Sequence, residues 1–199
     1  MKKLLYIDCC IRGEKSRTKR LADAFLGALS DRIEVETVDL NELDLLPLNR
    51  ERLERREKAQ LGDPIFALAK QFATAQLIVI AAPFWDMGIP ALLRSYFENV
   101  SAKNVTFGAD ENGYFGGLCH AEMMIYLTTR GMDIEDGGEL EQASPYLKAL
   151  VAFFGIGNFE MISACGLDEV SPEEAENRLV NAENRAKLLG RKISSPDYL

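Results

Sequence analysis

The chain has 199 residues, 47% of them hydrophobic and 27% charged, with a formal net charge of −8. This is the make-up of one ordinary globular domain, residues 1–199, which buries roughly 70% of its unfolded surface and needs no metal or disulfide staple. The acidic balance argues against a general nucleic-acid footprint, although a local basic patch can still hold an anion.

The opening MKKLLYIDCC has two lysines and a short apolar run, superficially like a signal peptide. The run breaks at Asp8, too early for that, and Lys3–Asp8 reads instead as a buried strand. Arg17–Ser30 follows as an amphipathic helix with Leu21, Ala24, Phe25 and Ala28 on one face. Ile33–Leu40 alternates as a half-buried strand does, and Asn41–Asn49 is a loop. Arg50–Ala75 is helical in pattern but broken at Leu61–Pro64, where Asp63 can cap a second helix begun by Pro64. Its charge run, RERLERREK, reads as a solvated helix face.

Gln76–Ala82 is nearly all apolar, as a central parallel strand is. Pro90–Val100 is predicted as a helix, Glu122–Thr128 as a strand, and Ser144–Gly155 as a helix. Phe159–Cys165 is a fifth strand, and Ser171–Lys192 a long closing helix opened by Ser171, Pro172 and Glu174. No stretch approaches the roughly 20 apolar residues of a spanning helix, so the expectation is a cytoplasmic protein without membrane contact. Cys9, Cys10, Cys119 and Cys165 lack CxxC spacing, and His120 is the only histidine. Neither a zinc site nor a disulfide framework is expected. Adjacent Cys9 and Cys10 could bridge only with strain and read as small turn residues.

Five strands alternating with helices predict a doubly wound parallel sheet covered on both faces. Such sheets bind ligands beyond the C-terminal ends of their strands. Three loops qualify. Cys9–Thr18 precedes a helix and carries Arg12, Gly13, Lys15, Ser16, Arg17, Thr18 and Lys19. A helix N-terminus with hydroxyl and basic side chains suits a single phosphate monoester. The triphosphate-binding and dinucleotide glycine patterns are absent. Helix capping by Ser16 explains the same residues as well. Pro83–Ile89 holds the only tryptophan after the central strand, with Phe84, Trp85, Asp86 and Met87. These side chains suit either a flat ligand or ordinary packing. Thr129–Gly138 begins with Thr129, Arg130 and Gly131, which suits a polar planar edge, although Arg130 can equally be a surface charge. Jointly the three loops match a mononucleotide with a large flat ring.

The stretches APFWDMGIPALLRSYFENV, NVTFGADENGYFGGL and YLTTRG, in this order and separation, resemble the flavodoxin-like FMN-dependent NADH:quinone oxidoreductases, the azoreductase family, over nearly the whole chain. The resemblance implies a flavodoxin-like sheet of order 2-1-3-4-5 and an FMN cofactor. Cys10, Ser16, Arg17 and Thr18 would hold the FMN phosphate. Pro83, Phe84, Trp85, Asp86 and Met87 would lie along the ring, and Thr129, Arg130 and Gly131 at its polar edge. No side chain would act as a nucleophile, because the flavin carries the chemistry; Arg130 would stabilise charge during reduction. NADH or NADPH would donate, and quinones, azo compounds or nitroaromatics would accept. A homodimer is implied, with Phe107, Tyr114 and Phe115 as candidates for the acceptor pocket or its rim. The chain departs from the family in having cysteines at positions 9 and 10, where serines are frequent. It also has Asp86 for a frequent neutral amide, and Met132 where a second glycine is common. The alternatives are a flavodoxin-type electron carrier or flavin-binding redox sensor, and a degenerate member that binds no flavin.

Overall fold

The apolar runs that read as strands pair into one parallel sheet. In the computed structural model, which describes residues 1–109, 112–195 and 198, these are β1 (Lys2–Asp8), β2 (Ile33–Asp39), β3 (Leu77–Ala81), β6 (Met123–Thr129) and β7 (Asn158–Ala164). The spatial order is β2-β1-β3-β6-β7, the expected 2-1-3-4-5 arrangement of its five parallel strands. β4 (Phe107–Ala109) and β5 (Phe115–Gly117) form a separate antiparallel pair that the sequence reading did not anticipate. Three residues per strand are too few to show a period. Asp110 and Glu111, inside one of the stretches that carry the family resemblance, lie outside the described residues.

Alternate residues of the buried strands feed two cores. Leu5, Ile7, Ile78, Ile80, Met124 and Tyr126 face α3 (Ala67–Thr74), α4 (Ala91–Val100) and α5 (Ala143–Phe154). Leu4, Tyr6, Val79, Ile125 and Leu127 face α1 (Arg17–Leu26) and α6 (Pro172–Ile193). With helices on both faces, β3 and β6 are buried at every residue, which explains the apolar runs Leu77–Ala81 and Met123–Leu127. β2 alternates less well than expected. It is an edge strand, and Val35 is 40% exposed while only Ile33 and Val38 are buried.

The charged run becomes α2 (Arg50–Lys58), which has no buried residue. Asp63 accepts from the Ile65 N–H at the turn that begins with Pro64, as its sequence suggests. Ser171 and Pro172 open α6 in the same way. α1 ends at Leu26, one turn earlier than predicted. The C-terminal ends of β1, β3, β6 and β7 meet on one side of the sheet, so their following loops converge there.

Candidate active site

A cavity of about 300 Å³ lies among those loops. Its basic end is built on the start of α1. Ser16 is the N-cap, accepting from the Lys19 N–H at 3.3 Å, so the capping role expected of it is present. Arg17 and Thr18 occupy the first two helical positions, where N–H groups have no intrahelical partner. The first turn holds no acidic residue, and Arg12, Lys15 and Arg17 all reach the cavity. The turn before it is tight, with Gly13 at φ 54° and its N–H on the Cys10 carbonyl at 2.8 Å.

Beneath this end sits Asp8, buried at the end of β1. It accepts from the Cys10 N–H at 2.8 Å and pairs with Lys19 at 3.2 Å. Burial opposes its ionisation, but those donors prevail and hold its pKa below the ordinary value. Cys10 does not line the cavity; its thiol points to the Ala81 carbonyl at 3.7 Å. Cys9 and Cys10 belong to the two different cores on opposite faces of the sheet. All four cysteines are free thiols. Burial, reinforced by Asp8, pushes the Cys9 thiol up to about 12 and raises Cys10 as well, so both stay protonated near neutrality.

The apolar wall comes from the loop after β3. The Ala82 N–H bonds the Leu127 carbonyl at 3.1 Å and the Phe84 N–H bonds that of Thr129 at 3.1 Å, which extends the pairing with β6. The chain then folds back. Trp85 and Gly88 exchange N–H···O bonds of 3.1 and 2.8 Å around Asp86 and Met87, at φ 49° and 60°. Two consecutive left-handed residues make a tight hairpin turn in which glycine or asparagine is usual. Pro83, Phe84, Trp85, Asp86 and Met87 all line the cavity.

The third side is the turn after β6. Thr129 and Thr18 share a hydroxyl–hydroxyl bond of 2.7 Å, which ties β6 to α1. Arg130 lines the cavity yet is 2% exposed. Its Nη1 donates to the Ile134 carbonyl at 2.9 Å and its Nη2 to Asp136 at 2.5 Å, and its guanidinium carbon lies 5.0 Å from the centre of the Phe84 ring. Asp136 is held in turn by the Ser163 hydroxyl at 2.6 Å. Gly131 completes this side.

Thus eleven of the twelve residues assigned to the cofactor from sequence share one cavity, Cys10 being the exception. Phe107, Tyr114 and Phe115 lie away from it, on or beside the β4–β5 hairpin. Phe107 and Phe115 stack edge to face at 6.2 Å. Asp168 and Glu169, in the loop after β7, line the cavity and were not among the sequence candidates. The signal was present: they too lie past the C-terminal end of a strand. Among the described residues no cluster of histidine, cysteine or carboxylate side chains could hold a metal ion.

The profile of the flavodoxin-like fold family matches residues 2–189. An FMN-dependent NADH:quinone oxidoreductase 2 of Clostridium acetobutylicum is 32% identical, the match covering 94% of this chain and 97% of that protein. An FMN-dependent NADH:quinone oxidoreductase of Coprothermobacter proteolyticus is 29% identical over 97% of this chain and its own full length. The crystal structure of an azoreductase from Bacillus anthracis has the same fold, with a TM-score of 0.82 at 23% identity, covering 96% of this chain and 100% of that one. The chain belongs to the flavodoxin-like family, in the branch whose members bear the name FMN-dependent NADH:quinone oxidoreductase.

Proposed function

We propose that this protein is an FMN-dependent NAD(P)H oxidoreductase that reduces quinones or azo compounds by a ping-pong cycle. The observation that carries this reading is one cavity with a basic helix N-terminus at one end and a flat apolar wall at the other. The residues fit the cofactor. Ser16, Arg17, Thr18, Arg12 and Lys15 supply donors and charge for a phosphate monoester, and Phe84 and Trp85 supply a face for the ring. The chemistry that FMN would supply when bound is two-electron transfer between the nicotinamide donor and the acceptor. The protein binds, orients and tunes. Both terminal nitrogens of Arg130 are committed to Ile134 and Asp136, so its part is to hold the turn and Phe84, not to reach the ring edge with its charge.

The visible spectrum of the purified protein tests this, before and after NADH is added without oxygen. Flavin bands that bleach are expected, followed by steady NADH oxidation when a quinone is supplied. A protein that remains colourless after incubation with FMN sinks the proposal, and bleaching without quinone turnover favours an electron carrier.

We also propose that the protein works as a homodimer, with Phe107, Tyr114 and Phe115 at the rim of an acceptor pocket completed across the interface. Their exposure supports this: Tyr114 is 77% and Phe115 61% exposed, beside a 42% exposed Phe153. Contiguous apolar surface of this kind marks partner surfaces. No described helix is long and apolar enough to cross a membrane. Four free thiols and the soluble NAD(P)H donor agree with a cytoplasmic setting, and a sheet shared by both cores agrees with one domain over residues 1–199.

A further inference from the structure

Asp168 is a carboxylate in the basic end of the cavity. Arg17 Nη1 donates to its Oδ1 at 2.9 Å, and both residues line the cavity. Arg12 and Lys15, on the same cavity, have no ion pair among the described residues. Of the three cations that line this end of the cavity, Arg17 is thus the one with an ion pair among the described residues, whereas Lys19 is paired with Asp8 beneath it.

The placement of Asp168 is built in. Its N–H bonds the Gly131 carbonyl at 3.0 Å, the Leu167 N–H bonds that of Arg130 at 3.3 Å, and the Gly166 N–H bonds that of Met132 at 2.9 Å. The loop after β7 is thus laced to the turn after β6. The carboxylate rests on Gly131, where an added Cβ would fall 2.0 Å from Oδ2 and 2.8 Å from Cγ. With the Asp168 backbone held, the pair opens by rotation of the Asp168 or Arg17 side chain, not by movement of the loop. A phosphate monoester at the start of α1 draws on the same guanidinium and is repelled by the same carboxylate.

We propose that Asp168 is an internal competitor for the cofactor phosphate: it holds Arg17 until a phosphate monoester displaces it, and so sets the affinity of the site for the phosphate end of its ligand alone. This rests on the flavin reading above. A carboxylate in a binding cavity ordinarily strengthens binding by accepting hydrogen bonds, in which case its removal weakens the complex. Competition predicts the opposite sign. It also predicts that a flavin without phosphate is indifferent to Asp168.

The test is titration of the flavin-stripped protein with FMN and with riboflavin, followed by quenching of flavin fluorescence. Asp168→Asn keeps the size of a largely exposed side chain. It is expected to tighten FMN about three- to tenfold, the scale of an exposed ion pair plus a relieved like-charge contact, and to leave riboflavin unchanged. Glu169→Gln removes the same charge from the cavity lining without touching an Arg17 pair, and a smaller change is expected. In an Arg17→Met background the gain from Asp168→Asn should vanish. Unchanged or weaker FMN binding in Asp168→Asn overturns the proposal, as does an equal shift for riboflavin or an equal gain in Glu169→Gln. If the unaltered protein binds neither FMN nor riboflavin, the flavin reading itself falls, and this inference with it.

Discussion

Arg130 heads the fully buried side chains in size, and burial of a guanidinium is tolerated only when it is well partnered. Its two terminal nitrogens find a carbonyl and a carboxylate within the next six residues, while Nε stays unpartnered. The sequence marked the residue correctly as part of the turn after the fourth strand of the main sheet, but left a surface charge and a ring contact as its roles. Nothing in TTRGMD says that the chain will curl back over its own arginine. Arg130→Met should keep the bulk and lose the ties. It is expected to cost about 2–3 kcal/mol of stability, below the full penalty for breaking a buried pair because Asp136 is partly exposed. Urea unfolding checks this, and a loss under about 1 kcal/mol would show that the guanidinium is no tie. Asp86 and Met87 teach the same lesson in another form. Their identity was legible, but their left-handed backbone was not: Asp86 is of a type that such turns accept, whereas Met87 is not.

At the scale of elements, the loop between β6 and α5 is ordered by a carboxylate that the sequence did not single out. Glu141 is fully buried and accepts from the Ala143 and Ser144 N–H groups at 2.9 and 2.8 Å and from the Ser144 hydroxyl. It thereby closes the start of α5. The next residue donates its N–H to the Met87 carbonyl at 2.9 Å, so the start of α5 also anchors the hairpin turn on the cavity wall. Burial disfavours the Glu141 carboxylate, but the Ser144 hydroxyl and N–H, then the Gly137 N–H, outweigh it and lower its pKa. A carboxyl with a lowered folded pKa stabilises the fold only while ionised. Its contribution is complete above the ordinary value of 4.5 and is lost as pH falls through the lower folded value. Glu141→Ala should therefore cost about 1–2 kcal/mol at pH 7. The gap between the two proteins should narrow in urea titrations near pH 3; a constant gap would mean that only the packing of the side chain matters. The β4–β5 hairpin is fixed in a way equally hidden from the sequence. A Cβ on Gly117 would lie 2.0 Å from the backbone of Phe154, so only glycine lets β5 dock against the end of α5.

For the whole molecule, the hairpin carries its aromatic side chains away from the cavity of their own chain. If they serve a site completed by a second copy, that copy must cover them. Light scattering is expected to give the mass of a dimer, and Phe115→Glu to weaken self-association at least about tenfold, as loss of a central aromatic anchor does. A monomeric protein, or a dimer indifferent to that substitution, would place the interface elsewhere or remove it. By itself the sequence determined the parallel sheet and the three loops beyond its strand ends, while the strand order and the family came through resemblance to known sequences. The first two follow from local rules: apolar runs buried on both faces, caps and prolines at helix starts, and loops that leave strand ends. Tertiary structure alone decided which cations are already spent, which thiols face away from the cavity, and that Asp168 lies against Gly131 beside Arg17. Residues 17, 131 and 168 come from the start of α1, the turn after β6 and the loop after β7. Their pairing depends on how the ends of β1, β6 and β7 converge, and a periodicity along one chain segment carries no information about that distance.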